Sequence, residues 1–317
     1  MEQQMVNKKE IIRPGRGGSR IRTGCIALLC LLFSAWAEAG VPAISNQRVT
    51  DVTTRSFSVI LTVSEASTTA LTLYAADCAT PATGFTTTQQ QNPASGNMRF
   101  AVSGLAATTN YCYQLSATSS STSDLTTTAA VPVLTAAAIV RTTLSGPDLL
   151  PIGNDILKVP AVHLPSGESR DAIISTVELL DGTAASPLSL LLNSDPNKDY
   201  FNLNNLFTAS TGKSLILSGG ERVKISENHG ISGCIIDRFR AVQAASGGTV
   251  PRSFVQANPS DIDASGGVNI LDVLRLAGGK GTNSTGPCFN SDLDLNNDGV
   301  IDINDLTIIK GGINGLP

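Results

Sequence analysis

Two stretches of this chain, beginning at Asp261 and at Asp294, carry oxygen-bearing residues at matching positions of a loop. The second is the fuller. It has Asp294, Asn296 and Asp298 at positions 1, 3 and 5, Gly299 at 6, and the Val300 carbonyl at 7. Asp302 at 9, acting through water, and Asp305 at 12 complete it. The first copy reads Asp261, Asp263, Ser265, Gly266, the Gly267 carbonyl, Asn269 and Asp272 at the same positions. A hard cation such as calcium takes six to eight oxygen ligands, and a short loop supplies them only by wrapping tightly, which a glycine at position 6 permits. The pattern predicts two Ca2+ sites, and Ser265 leaves the first loop one carboxylate short at position 5. Few folds satisfy that demand twice in so short a span.

Each loop runs into an apolar stretch closed by glycines. Leu271, Val273, Leu274 and Leu276 precede Gly278-Gly279, and Leu306, Ile308 and Ile309 precede Gly311-Gly312. These predict short helices with glycine stops. No helix precedes either loop: Pro259-Ser260 leads into the first and Phe289-Asn290-Ser291 into the second. Loop–helix units with Asp at position 12 resemble the type I dockerin, over residues 257–314. The resemblance implies a small, helical, EF-hand-like module (residues 257–317) that docks onto a cohesin-like protein domain. Its contact face would be led by loop positions 10 and 11, here Ile270-Leu271 and Ile303-Asn304. Ile301, at position 8, is expected where paired loops meet through a short strand bridge.

The N-terminus predicts export. Six basic residues precede an apolar run from Cys25 to Trp36, followed by Ala37-Glu38-Ala39. This is the layout of a bacterial-type signal peptide over residues 1–39, too short in its apolar part to span a bilayer comfortably. Its removal takes away six basic and three acidic side chains, so the formal charge moves from −4 to −7. That balance argues against nucleic acid as a partner. Four cysteines remain, Cys78, Cys112, Cys234 and Cys288. An even count in a secreted chain permits two disulfides with three possible connectivities. Domain boundaries favour Cys78–Cys112, and Cys234–Cys288 would then tie the last module to the middle domain.

Between leader and module the chain reads as mainly β. Over residues 41–130, Phe57, Val59, Leu61 and Val63 alternate with polar or outward positions, and Met98, Phe100 and Val102 do the same. Such alternation between short turns predicts a β-sandwich. Gly104-Leu105-Ala106-Ala107-Thr108-Thr109-Asn110-Tyr111 resembles the run entering strand F of fibronectin type III domains. The resemblance implies a tyrosine corner, the Tyr111 hydroxyl bonding to upstream backbone. Residues 118–136 read as a final strand and a linker. Residues 137–248 read as a second β-rich domain, with candidate strands Ala138–Thr143, Ile173–Leu180, Leu188–Leu192, Ser214–Ser218, Arg222–Ser226 and Cys234–Val242. A linker is expected over 245–258.

The expected fold is thus two β-sandwich domains followed by a small α-helical calcium-binding module. The expected role is a secreted, non-catalytic docking protein of an extracellular or cell-surface assembly, linked to polysaccharide degradation, with carbohydrate as a second candidate partner. A surface-layer or adhesion component is a third reading. The alternative is a glycoside hydrolase-type enzyme, since dockerin tails usually ride on such enzymes; Asp171, Glu178, Asp181 and Glu221 are the acids available to it in the middle domain. His163 and His229 show no metal-ligand spacing, and Ser232 does not meet the G-x-S-x-G elbow because Cys234 stands where its second glycine belongs. The mature chain lacks tryptophan, which argues against an aromatic sugar platform; Tyr74, Tyr113 and Tyr200 are the substitutes.

Overall fold

The computed structural model describes residues 40–91, 96–138, 156–213, 215, 217, 219–242, 254–256 and 258–313. The expected leader, and candidate strands Ala138–Thr143 and Ser214–Ser218 apart from Ala138, Leu215 and Leu217, lie outside them. The described chain is mainly β, built of antiparallel sheets, with two short helices at its C-terminal end. Among the described residues no helix is long and apolar enough to cross a membrane.

Eight strands make the first unit: β1 (Ile44–Thr50), β2 (Ser56–Val63), β3 (Ser67–Tyr74), β4 (Thr86–Gln91), β5 (Asn97–Ser103), β6 (Asn110–Ser119), β7 (Leu125–Thr127) and β8 (Val131–Leu134). One sheet runs β1-β2-β5-β4; the other runs β3-β6-β7, with β8 also on β6. The alternation seen in the sequence does its expected work. Phe57, Val59 and Leu61 from the first sheet and Leu73, Tyr113 and Leu115 from the second enter one core. The Tyr111 hydroxyl accepts a hydrogen bond from the Ala106 N–H at 3.0 Å. Cys78 and Cys112 are bonded to each other.

The linker expected before residue 136 is structured. β7 pairs with the C-terminal half of β6 and β8 with its N-terminal half. Val133 and Ala136 complete the core, so the first unit extends past residue 130.

The second unit contains β9 (Ile156–Lys158), β10 (Ile173–Leu179), β11 (Leu188–Leu191), β12 (Tyr200–Asn202), β13 (Arg222–His229), β14 (Cys234–Val242) and β15 (Phe254–Val255). Five form a sheet in the order β11-β10-β13-β14-β15, and β9 pairs with β12. Leu157, Phe201, Leu203 and Leu206 pack over Ile173, Val177 and Ile225 of the sheet. β15 lies inside the expected 245–258 linker; it pairs Ala241 with Val255 and so extends the sheet instead of spacing two modules.

The two units share a polar seam. Ser58 and Ile60, which alternate away from the first core, are nonetheless buried. On that same face the Thr62 hydroxyl accepts from the Asn228 amide at 3.2 Å. The Asn97 amide reaches the carbonyls of Ala172 and Asn228 at 2.8 and 2.9 Å. Asp51 accepts from the Ser189 N–H and hydroxyl at 2.9 and 2.6 Å and pairs with Arg99. Gly212 closes one end of the seam. It holds φ +61°, and a Cβ there would sit 1.7 Å from the Ala137 carbonyl oxygen, so only glycine fits.

Candidate metal centre

The C-terminal module is two helices, α1 (Ile270–Gly279) and α2 (Ile303–Gly312), each preceded by one of the loops. Their inward residues Leu276 and Ile309 join Ile262, Phe289, Leu293 and Ile301 in a core of their own. Apolar loop positions 2 and 8 thus anchor the loops while the oxygen-bearing positions stay free to turn inward.

The two loops fold alike, residue for residue. Position 4 is left-handed in both, Ala264 at φ 52° and Asn297 at φ 57°, as is the glycine at position 6, Gly266 at 94° and Gly299 at 85°. The first Asp accepts from the backbone N–H groups of positions 5 and 6: Asp261 from Ser265 and Gly266 at 3.0 and 2.8 Å, Asp294 from Asp298 and Gly299 at 3.1 and 2.9 Å. Position 9 is the helix N-cap and position 12 is its N3 residue. Asn269 with Asp272, and Asp302 with Asp305, form full capping boxes. This explains Asp at position 12. A side chain this short reaches the N-cap N–H, at 2.8 Å in both loops, while its other oxygen bonds back to the start of the loop.

In the first loop Asp261, Asp263 and Asp272 converge, with one ligand oxygen from each lying within 4.8 Å of the others. All three are buried, Asp272 completely, and no ion pair among the described residues reaches them. Burying several carboxylates without a countercharge is very costly, so the donor set fits a bound cation. Ser265 and the Gly267 carbonyl stand at its rim, 3.2 Å apart, and the Asn269 amide donates to that carbonyl at 3.0 Å. In the second loop Asp294 and Asp305 are buried, whereas Asn296, Asp298 and Val300 are exposed and Asp302 is half-buried. Asp298 turns to its neighbours there, accepting from the Asn296 amide at 2.7 Å and the Val300 N–H at 2.9 Å. The loop that carries the fuller set of ligand types is therefore the less converged of the two.

Among the described residues no strand bridge joins the paired loops, contrary to expectation. Ile301 instead pairs with the connector that follows α1: its N–H donates to Thr282 at 3.0 Å and its carbonyl accepts from Gly281 at 2.8 Å. Gly281 holds φ +92°, which turns the connector back along the second loop.

Ile270, Leu271 and Leu274 are 63%, 51% and 60% exposed, and Ile303 is 56% exposed. Positions 10 and 11 are thus surface, not core.

The module is fastened to the middle unit by the disulfide that the cysteine pairing predicts, and by ion pairs that the sequence did not announce. Cys288 is bonded to Cys234 at the start of β14. Arg238, 1% exposed, donates to Glu227 at 3.2 Å, to Asp292 at 2.8 Å and to Ser291 at 3.0 Å. Arg240 reaches the other Asp292 oxygen at 2.7 Å. Burial opposes the charged form of Asp292, but the two guanidinium groups outweigh it and hold its carboxyl below the usual range. The Arg275 guanidinium lies 3.8 Å over the Phe239 ring, and His163 stacks edge-on against Phe289.

Behind Arg238 sits His229, fully buried, with Nδ1 2.9 Å from Glu168 and Nε2 3.9 Å from Glu227. Burial favours the neutral ring, yet the two carboxyl groups outweigh it and raise the His229 pKa above its ordinary value. A raised folded-state pKa means that the stabilisation is complete below the unfolded value, near 6.5, and is lost as pH rises through the folded one. Melting temperature is therefore expected to fall from pH 6 towards pH 9 in the wild type, and to do so less in His229→Gln. Parallel curves for the two proteins would remove His229 from the account.

The four acids available to a hydrolytic site are occupied locally. Glu178 pairs with Arg48 and Lys224, Asp171 accepts from Ser169, Asp181 from Thr183, and Glu221 from the Gly219 N–H. No protein-family model and no curated protein matches the chain.

Proposed function

We propose that this is a secreted, non-catalytic docking protein whose C-terminal module, similar to a type I dockerin, binds two Ca2+ ions and presents α1 to a cohesin-like domain. The convergence of Asp261, Asp263 and Asp272, buried and with no basic partner among the described residues, is the observation that carries the calcium half of this reading. Asp294, Asn296, Asp298, the Val300 carbonyl, Asp302 and Asp305 hold the second ion; the hydrogen-bond pattern shared with the first loop supports this. The exposed Ile270, Leu271 and Leu274 support the docking half, because unburied aliphatic side chains at one helix face suit an anchor of an interface.

The remainder of the chain is read as two β-sandwiches that carry this module. In the first, the order β1-β2-β5-β4 against β3-β6-β7 matches the A-B-E-D and C-F-G sheets of constant-type immunoglobulin domains, and the bond to Tyr111 suits a tyrosine corner. The fibronectin-like reading therefore rests on the sandwich and its corner. Export and an extracellular setting are supported by the leader pattern and by the two disulfides.

The test uses a purified type I cohesin domain as probe. The full chain is expected to bind it in calcium and release it on chelation. Ile270→Asp with Leu274→Asp is expected to weaken binding by at least about thirtyfold, the loss of roughly 2 kcal/mol typical of a central anchor. Absence of binding in calcium, or binding indifferent to the α1 substitutions, contradicts the docking half.

A further inference from the structure

Strand β4 ends its sheet, and among the described residues no strand pairs with its outer edge. Its sequence is Thr86-Thr87-Thr88-Gln89-Gln90-Gln91, and every residue is exposed. It runs in unbroken register against β5, from Thr86 opposite Ser103 to Gln91 opposite Met98. In an antiparallel ladder alternate residues turn their N–H and C=O groups away from the partner. Sheets normally blunt such an edge with charge, proline or a bulge. The opposite edge of this same sheet does so: β1 is irregular between Ser45 and Arg48, and Arg48 is paired with Glu178 of the second unit. β4 has none of these devices.

We propose that β4 is a strand-addition surface and that its occupant is β4 of a second copy of this chain. The strand is complementary to itself. A twofold axis at Thr88 sets Thr88 opposite its own copy, Thr87 opposite Gln89 and Thr86 opposite Gln90 in both halves, so that opposed side chains share a face. The central pair joins two hydroxyls and the flanking pairs join a hydroxyl to an amide, groups that both donate and accept. No pair sets like charges together, the arrangement that most disfavours cross-strand pairing. The absence of charge also leaves nothing to select a charged foreign peptide. The side chains are already partly held: Gln89 donates to Thr69 and Gln91 at 2.9 and 2.7 Å, and Gln90 accepts from Arg99 at 3.0 Å. Less freedom is then lost on pairing. The contact is isologous and closes at two copies, because the β1 edge is irregular and engaged. It joins the two sheets into one of eight strands.

Six residues span only about 20 Å, which gives an interface smaller than that of a permanent dimer. The association is therefore weak and depends on concentration. It gains most where chains are already tethered side by side. This surface lies in the first unit and does not depend on the calcium reading.

Sedimentation equilibrium of the full, calcium-loaded chain over a hundredfold concentration range tests it. Average mass is expected to climb towards twice that of the monomer. Thr88→Lys and Thr88→Glu are each expected to stay monomeric alone, since each sets like charges directly opposite, with unchanged melting temperatures. Mixed in equal amounts they are expected to associate at least as well as the wild type, because the proposed register sets Lys opposite Glu. A wild-type mass that stays flat overturns the proposal. So does association by either charged variant alone, which would place the contact elsewhere, or failure of the mixture to associate, which would refute the register.

Discussion

Asp272→Ala is expected to abolish one of two calcium-binding events, weakening that site by more than about a hundredfold, beyond what loss of an outer-shell group costs. The residue does two jobs. It is one of three converging carboxylates. It also closes the capping box of α1, accepting from the Asn269 N–H at 2.8 Å, and accepts from the Asp263 N–H at 3.1 Å. Alanine leaves the loop too few oxygens and costs the helix its N3 cap, about 1 kcal/mol on its own. Because metal affinity in such loops is also folding energy, protease resistance over residues 258–313 falls with it. Asp305→Ala does the same to the second loop. In calorimetric titration each variant retains one site. Two intact sites in either variant would show that position 12 is only a cap.

Arg238→Met is expected to destabilise the protein by about 3–5 kcal/mol, the usual cost of removing one partner from a buried ion pair. Against a total stability of about 5–15 kcal/mol this is a large fraction. Methionine fills a similar volume but leaves Glu227 with a lone histidine and Asp292 with Arg240 alone. The junction between the sheet and the C-terminal module should open first. Arg238→Lys recovers only part of the loss, since a single ammonium cannot reach Glu227, Asp292, Ser291 and the Ala161 carbonyl as the guanidinium does. Chemical denaturation measures the size of the effect, and hydrogen exchange at residues 288–293 measures its place. A midpoint unchanged in Arg238→Met would mean that the buried charges are compensated elsewhere.

The two loops were legible because their oxygen-bearing residues follow one another in the chain; spacing alone places Asp261, Asp263 and Asp272 in one loop, where they converge. The strands β2, β5, β13 and β14 were legible through period-2 alternation, and β14 spans Cys234–Val242 as expected. The buried Glu168–His229–Glu227 group was not, because Glu168 and His229 stand 61 positions apart and meet only through the fold. One sign was present. Glu227 and His229 continue the alternation of Val223 and Ile225 on the buried face of β13. Polar residues at core positions of a strand require partners, and ending the expected strand at Ser226 concealed that requirement, since β13 runs on to His229. The seam between the two β units was hidden for the opposite reason. Thr50, Ser58 and Asn97 look like a solvated strand face, and only the opposing Ser189, Ala172 and Asn228 bury them. The 118–136 segment misled through composition: its Ser and Thr residues suggest a linker, while Val131 and Val133 supply an edge strand.

The tail is held against its own middle unit by Cys234–Cys288 and by Arg238, with the α1 face left outward, and on the proposed reading it is a calcium module. Calorimetric titration of the chelator-stripped full chain with calcium, followed by limited proteolysis of the same samples, tests that account most directly. Two binding events, and protection of residues 258–313 that appears only with calcium, are the predicted result. No binding heat, with a tail equally resistant in chelator, would contradict it.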